Sequence, residues 1–403
     1  MTTIEEPFAD ASLAETALTD AAQSKQGSTR KWQAYVDATL GFRNHWYATR
    51  YSHEIGEGDL AAVTLLGEAI LLSRVDGEVR AIQDRCAHRG VRFSAQPLCF
   101  QKGTVSCWYH GWTYDTANGR LCDVLTSPDS PVIGRVSIPT YPVQEAQGLV
   151  FVYVGDGEPP PLACDVPPGF LDPDTSCLGI RRTVKANWRL GVENGFDTTH
   201  IFMHRESPLI RGNNIALPLG FVPADRSAMH VHADGWPKGI VDNLAQNYIP
   251  VFEAKVRGQT AWRVELRGDE KRVAAQVSVW LPGVLKVDPF PDPSLIQYEF
   301  YVPITGSEHE YFQVLQRRVN TDDDVELFRK EFDETWRDLA LHGFNDDDVW
   351  AREELEPFYR DGDGWSNERL FPPDMCIVEW RRLASVHARG IQRASGRTEE
   401  NSR

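Results

Sequence analysis

Two short runs, Cys86-Ala87-His88 and Cys107-Trp108-Tyr109-His110, constrain this chain more than anything else in it. They form a C-x-H and C-x-x-H pair separated by residues 89–106. Two thiolates and two imidazoles on paired loops can hold a [2Fe–2S] cluster, with the cysteines on one iron and the histidines on the other. Gly90 and Gly111 flank the loops, where backbone must turn tightly around sulfide ions. A Cys2His2 zinc site is the chemical alternative, although zinc motifs more often pair C-x2-C with H-x3–5-H.

The bulk properties narrow the rest. A formal net charge of −16 over 403 residues argues against nucleic acid or an anionic membrane as the main partner. The most apolar stretch, Ala61 to Val75, carries Glu68 and Arg74 and is too short to span a bilayer. The N-terminus lacks a basic region followed by an apolar one, so no export signal is read. Seven cysteines without such a signal suit reduced thiols in the cytoplasm. Cys99, Cys122, Cys164, Cys177 and Cys376 have no motif and are expected to be small buried hydrophobes.

The chain divides at a few places. Residues 1–28 read as a flexible extension and 29–43 as an N-terminal helix of the catalytic unit, amphipathic over 31–43. Residues 44–155 are β-like, with short apolar runs such as Ala62–Leu65, Ala69–Ser73 and Leu149–Val154 between turn residues. Glu158-Pro159-Pro160-Pro161 reads as a linker. A second, mixed unit spans 156–393, and 394–403 is a polar tail. In that unit the pattern predicts a helix from Trp188 to His204, strands over Ala274–Leu281 and Ile296–Ile304, and two closing helices over about Asp324–His342 and Asp346–Tyr359. Asn345 is placed to cap the last of these, and Asp322-Asp323-Asp324 to cap the one before it. The fold class is α+β.

A second constellation lies on the predicted helix. His200 and His204 are four apart and share one face, and Asp197 falls on that face too. Two imidazoles plus a distant carboxylate make the facial triad of non-haem Fe(II) oxygenases. Asp346, Asp347 and Asp348 all offer the carboxylate, and spacing does not choose among them; helix-dipole stabilisation accounts for two of the three. His230 and His232 alternate along a strand or loop and read as structural, as do His45, His53, His309, His342 and His387.

Cys-Ala-His-Arg-Gly followed by Cys-Trp-Tyr-His-Gly-Trp resembles a Rieske domain, and Asp197-x2-His200-x3-His204 resembles the iron-binding run of Rieske ring-hydroxylating oxygenases. Val91 and Tyr109 stand where respiratory Rieske proteins carry an extra disulfide, so the resemblance is to the ferredoxin and oxygenase branch. It implies a Rieske β domain inserted near the N-terminus of a helix-grip catalytic domain with a large antiparallel sheet. It implies one [2Fe–2S] cluster on Cys86, His88, Cys107 and His110, and one Fe(II) on His200, His204 and Asp348, the aspartate chosen by the run Phe344 to Trp350. It also implies a homotrimer in which Asp197 joins His200 to His110 of the partner subunit. It further implies electrons from a ferredoxin served by a separate NAD(P)H reductase, and the chain shows no flavin or nicotinamide motif of its own.

A more specific resemblance is to the terminal oxygenases of carbazole 1,9a-dioxygenase. It runs from about Trp32 to Gln392, through Leu40–Tyr47, Trp188–Asp197, Trp280–Val287 and Phe344–Arg352. It implies that the Gly195 carbonyl accepts the carbazole N–H. The pocket walls implied are Ile201, Ala274, Val277, Leu285, Val287, Phe290, Gln297, Glu299 and Phe344, most of them apolar as an aromatic site requires. The segment Val222–Pro250 matches poorly and is expected to act as a lid. The chemistry implied is angular dioxygenation at a ring-fusion carbon and its neighbour, whose product opens to 2'-aminobiphenyl-2,3-diol. A Rieske monooxygenase or demethylase acting on another aromatic or a steroid is the alternative. A pure electron carrier would leave the residues after Pro161 unexplained.

Overall fold

One strand, Ile296–Thr305, joins the two halves of the molecule. Side chains at successive strand positions point to opposite faces. Tyr298, Phe300 and Val302 enter a core shared with Leu149–Val154 of the N-terminal β unit. Tyr301, on the other parity, packs with Trp188, Val192 and Phe196 of a helix. The strand is accordingly buried on both faces through its central residues.

A computed structural model describes residues 29–394 except 226–227, 267 and 273–274. The expected extension 1–28 and, past its first residue, the tail 394–403 lie outside the described residues, as does Ala274. The N-terminal unit comprises small antiparallel sheets, with strands at His45–Tyr51, Leu60–Leu65, Glu68–Val75, Glu78–Gln83, Thr104–Ser106, Trp112–Asp115, Leu121–Val124 and Leu149–Val154 among them. The catalytic unit is built on seven antiparallel strands: β1 (Thr175–Val184), β2 (Met229–His232), β3 (Gly239–Asn243), β4 (Gln276–Trp280), β5 (Val284–Asp288), β6 (Ile296–Thr305) and β7 (Glu308–Arg318). Their order across the sheet is β1-β7-β6-β5-β4-β3-β2. Three helices matter for the site: α1 (Trp188–Phe196), α2 (Asn345–Asp361) and α3 (Met375–His387).

α1 lies on the sheet and is buried nearly all round, unlike an ordinary surface helix. The Asn187 side chain caps it, accepting from the Arg189 N–H at 3.1 Å. Its Glu193 is buried and bonded twice to Arg381 of α3, at 2.8 and 2.7 Å. Burial pushes the Glu193 carboxyl up, and the Arg381 guanidinium opposes the shift. The pair clamps α3 onto α1. α3 itself has no counterpart among the sequence expectations.

The structure corrects several expectations. The helix from Trp188 does not reach His204: it ends at Phe196, and a 3-10 turn covers His200–Glu206. The N-terminal helix expected over 31–43 is a short 3-10 turn, Thr29–Trp32, followed by Gln33–Asp37; Gly41 then turns the chain with φ +94°. Asn345 does not cap α2 but is its first residue, and its amide donates to Glu299 and Tyr311 instead. Within the segment Val222–Pro250, expected to act as a lid, β2 and β3 extend the main sheet. Cys99 and Cys122 are exposed rather than buried. Among the described residues no helix is long and apolar enough to cross a membrane.

Arg381→Leu is expected to cost about 3–5 kcal/mol, because it strands a buried Glu193 carboxylate. Urea denaturation checks this; the double substitution Arg381→Leu with Glu193→Leu should recover part of the loss.

Candidate functional site

α1 stops at Asp197, whose backbone turns extended (φ −68°, ψ 122°), and the bond that follows is diverted. The Thr199 N–H, one turn beyond Gly195, donates at 2.7 Å to the Asp197 carboxylate rather than to the Gly195 carbonyl. The Thr199 hydroxyl donates to the same oxygen at 2.8 Å. Short polar side chains compete with helix bonds in this way, and the β-branched Thr198-Thr199 pair adds no helical preference. The Gly195 carbonyl is thereby left without its usual partner. Gly195 tolerates no side chain: a Cβ would lie 2.4 Å from the Tyr301 hydroxyl and 2.9 Å from Leu285 Cδ2.

The freed backbone then places the histidines. His200 Nδ1–H donates to the Asp197 carbonyl at 2.5 Å, and His204 Nδ1–H donates to the Asp347 carboxylate at 3.2 Å. Carbonyl and carboxylate oxygens only accept, so each ring leaves Nε2 as the bare nitrogen. Both Nε2 atoms face one oxygen of Asp348, at 3.6 Å from His200 and 3.4 Å from His204. Among the described residues, one group of three such donors converges, and it is this one, with all its donor atoms within 4.8 Å of one another. His204 Nε2 and Asp348 Oδ1 are buried without hydrogen-bond partners. Lone pairs turned toward each other in a dry site call for a cation between them, and two imidazoles with one carboxylate suit Fe(II). The electrostatics show that the site favours positive charge: burial disfavours a charged His204, yet Asp348 and Asp347 hold its pKa up at about 9, so a proton takes the Nε2 position that a bound cation would displace. Burial also works against the Asp348 charge, but His204 and Arg352 hold that carboxyl well below its usual range.

The three candidate aspartates separate by position. Asp348 is buried at the site; Asp347, half exposed, braces His204; Asp346 pairs with Arg182 away from it. Asp348 belongs to a polar stripe on α2, Asn345-Asp348-Arg352-Glu356, buried where α2 packs on α1. Arg352 donates to the Asn194 side chain at 2.7 Å and lies over the Tyr311 and Tyr301 rings at 4.4 and 5.0 Å. Sequence reasoning missed Arg352, Tyr301 and Tyr311. The i, i+3/i+4 spacing of Asn345, Asp348, Arg352 and Glu356 was the available signal, hidden because it is polar rather than apolar.

The expected pocket walls fall into two packed groups, one with Leu285 beside Gly195 and one with Phe344 beside His204. Leu285 touches it, Phe344 stacks on the His204 ring with centroids 3.9 Å apart, and Phe290 contacts Phe344 at 5.2 Å. Ile201 packs beside Phe290 and Phe344, and Val277 and Val287 lie on the α1 side of the sheet. Glu299 is different, for its oxygens are engaged by Gln297, Asn345 and Tyr301.

The other cluster of donors lies on two matched loops. Cys86 N–H donates to the Val91 carbonyl (2.9 Å), and Cys107 N–H to that of Trp112 (2.7 Å). Gly90 and Gly111 return bonds to the two cysteine carbonyls at 2.8 and 2.9 Å. Gly111 has φ +68°, and a Cβ there would meet that of Leu125 at 2.8 Å. Cys86 and Cys107 are buried and free of any disulfide, and burial pushes the Cys86 thiol up. The His88 and His110 rings, 4.6 Å apart, lie toward solvent, His88 stacked on Trp112. Two inner thiols and two outer imidazoles fit a [2Fe–2S] cluster whose histidine-bound iron faces out.

Comparison with known proteins agrees with both centres. Residues 45–142 match the Rieske [2Fe-2S] domain, and 153–392 match the homotrimeric ring hydroxylase family. The terminal oxygenase component of carbazole 1,9a-dioxygenase from a Sphingomonas species is 55% identical over 368 residues, covering 91% of this chain and 97% of that protein. The solved terminal oxygenase of the same enzyme from Nocardioides aromaticivorans IC177 is 66% identical, with a TM-score of 0.89, covering 91% of this chain and all of that one. A carbazole-bound, singly substituted oxygenase in complex with its ferredoxin is 48% identical, with a TM-score of 0.88, covering 92% and 96% of the two chains.

Asp347→Asn, which keeps the shape but weakens the brace on His204, is expected to lower iron affinity about 10- to 100-fold. Iron content after dialysis against a graded chelator measures it, and an unchanged content would remove Asp347 from the site.

Proposed function

Because the chain belongs to the terminal oxygenases of carbazole 1,9a-dioxygenase, within the Rieske ring hydroxylases, we propose that it performs angular dioxygenation of carbazole and related fused aromatics. The observation that carries this reading is the Gly195 carbonyl, released from its helix beside the His200, His204 and Asp348 donors and among apolar walls. A flat aromatic with one N–H finds there one acceptor and otherwise apolar surface.

His200, His204 and Asp348 would hold the mononuclear iron, and Cys86, His88, Cys107 and His110 the cluster. When bound, these centres supply single electrons for the reduction of dioxygen. The protein's own part is placement. Gly195 takes the ring N–H and so turns one ring-fusion carbon and its neighbour toward the iron ligands. Ile201, Val277, Leu285, Val287, Phe290 and Phe344 exclude water. Gln297 and Glu299 complete the wall through their mutual hydrogen bond (2.6 Å). Net addition of dioxygen takes two electrons and two protons, and the hemiaminal formed opens by breaking its C–N bond, giving 2'-aminobiphenyl-2,3-diol.

The trimer of the family frames the electron path. Asp197, with one oxygen engaged by Thr199, would offer the other to His110 of the partner subunit while its carbonyl holds His200. Residues 44–155 and 156–393 form the two domains of this scheme. A ferredoxin would dock near the outward histidines, recharged by a separate NAD(P)H reductase. The free thiols suit the reducing cytoplasm.

Turnover of carbazole under oxygen-18, with reconstituted ferredoxin and reductase, should yield the ring-opened diol carrying two labelled atoms. Iron-replete protein that makes no product from carbazole would defeat the substrate reading. N-methylcarbazole, which has no N–H to give Gly195, is expected to show a KM about tenfold higher, the worth of one buried hydrogen bond.

A further inference from the structure

The row of proposed wall residues ends in a polar pair that the reaction does not use. Directly paired residues of an antiparallel sheet project to the same face. Asp242 of β3 pairs with Val277 of β4, Val277 with Val287 of β5, and Val287 with Gln297 of β6. This row neighbours the row Ile240-Val279-Leu285-Glu299, whose Leu285 touches Gly195. Asp242 is thus an acid placed in line with three wall residues of the proposed pocket.

Among the described residues none gives it a well-formed hydrogen bond. Asp242 is fully buried, and neither carboxyl oxygen has a hydrogen-bond partner. The Tyr248 hydroxyl is close enough to favour the Asp242 charge but out of bonding geometry, and it too is buried without a partner. Tyr248 packs with Phe221, Ala228 and Leu244 against Ile201 and Val277, which ties the pair to the residue after His200. Gln297, at the far end of the row, has an unpartnered carbonyl oxygen as well. The row therefore reads as an apolar floor of two valines with a polar group at each end. Leaving such groups unpaired in a dry interior is costly, and a ligand's hydrogen bond would offset that cost.

We propose that Asp242 and Tyr248 form a second hydrogen-bonding subsite, which takes a hydroxyl group carried on a fused aromatic ring. The inference rests on the reading of the cleft as an aromatic pocket. A hydroxyl both donates and accepts, and so does this pair. Burial raises the Asp242 carboxyl to about 7, so much of it keeps its proton near neutrality and can act in either sense. Carbazole itself reaches Gly195 with its N–H and brings nothing for the second subsite. A ring already hydroxylated would engage both.

Equilibrium binding to the intact holoenzyme tests this, using carbazole and its four monohydroxy isomers with wild type, Asp242→Asn and Tyr248→Phe. At least one isomer is expected to bind wild type about three- to tenfold tighter than carbazole. That ratio should collapse to near one in both variants. No isomer gaining over carbazole in wild type would overturn the subsite, whatever the variants do. So would a gain that survives both substitutions. Wild type that binds neither carbazole nor any isomer would instead overturn the carbazole reading, and the subsite with it.

Discussion

The site depends on the break of α1 at Asp197, fixed by the hydrogen bond from the Thr199 N–H to that residue's own carboxylate. Had Asp197 stayed helical and the Thr199 N–H closed onto Gly195, α1 would have run on as a regular helix and carried His200 with it. The Asp197 carboxylate takes that N–H, and several consequences follow at once. The Gly195 carbonyl is released, the Asp197 carbonyl is free to hold His200 Nδ1, and the chain enters a 3-10 turn that aims both Nε2 atoms at Asp348. One short acid side chain frees the Gly195 carbonyl and sets the metal donors together.

That break is affordable because α1 is held hard on every side. Below it lies the central sheet, and Tyr301 closes under Gly191 and Gly195. To the sides, α3 grips Glu193 through Arg381, and α2 lays its polar stripe against Asn194 through Arg352. Charges so deeply buried add little net stability when paired, yet they are severe when broken. Their effect is to admit few alternative packings around the metal donors.

The sequence made the donors legible and left their support obscure. Cys86, His88, Cys107 and His110 were readable because each of two loops pairs a cysteine with a nearby histidine beside a glycine, and His200 and His204 because iron needs paired imidazoles. The run around Phe344 singled out Asp348, and the structure places that residue, not Asp346 or Asp347, against both Nε2 atoms. The helix from Trp188 to His204 was overread, since apolar periodicity cannot report a competition between a side chain and the backbone at Asp197. Asn345 looked like a cap, yet it looks inward because Glu299 and Tyr311, distant in sequence, offer it better partners. α3 escaped notice because its buried face includes Arg381, whose charge conceals its role. Strands fared better: Ala62–Leu65, Leu149–Val154 and Ile296–Ile304 fall within observed strands, because alternation and turns are local properties.

β6 serves two masters. Its even-numbered residues Tyr298, Phe300 and Val302 belong to the core of the N-terminal unit, while Gln297, Glu299 and Tyr301 belong to the surroundings of the iron ligands. Two redox units that look separable along the chain are thus written into alternate letters of one strand. Grafting the N-terminal unit of a distant relative onto this catalytic unit would demand recoding every second residue of β6. Divergence among such oxygenases is therefore expected to run freely along the valine floor of the pocket and slowly through β6, where neither unit can change without the consent of the other.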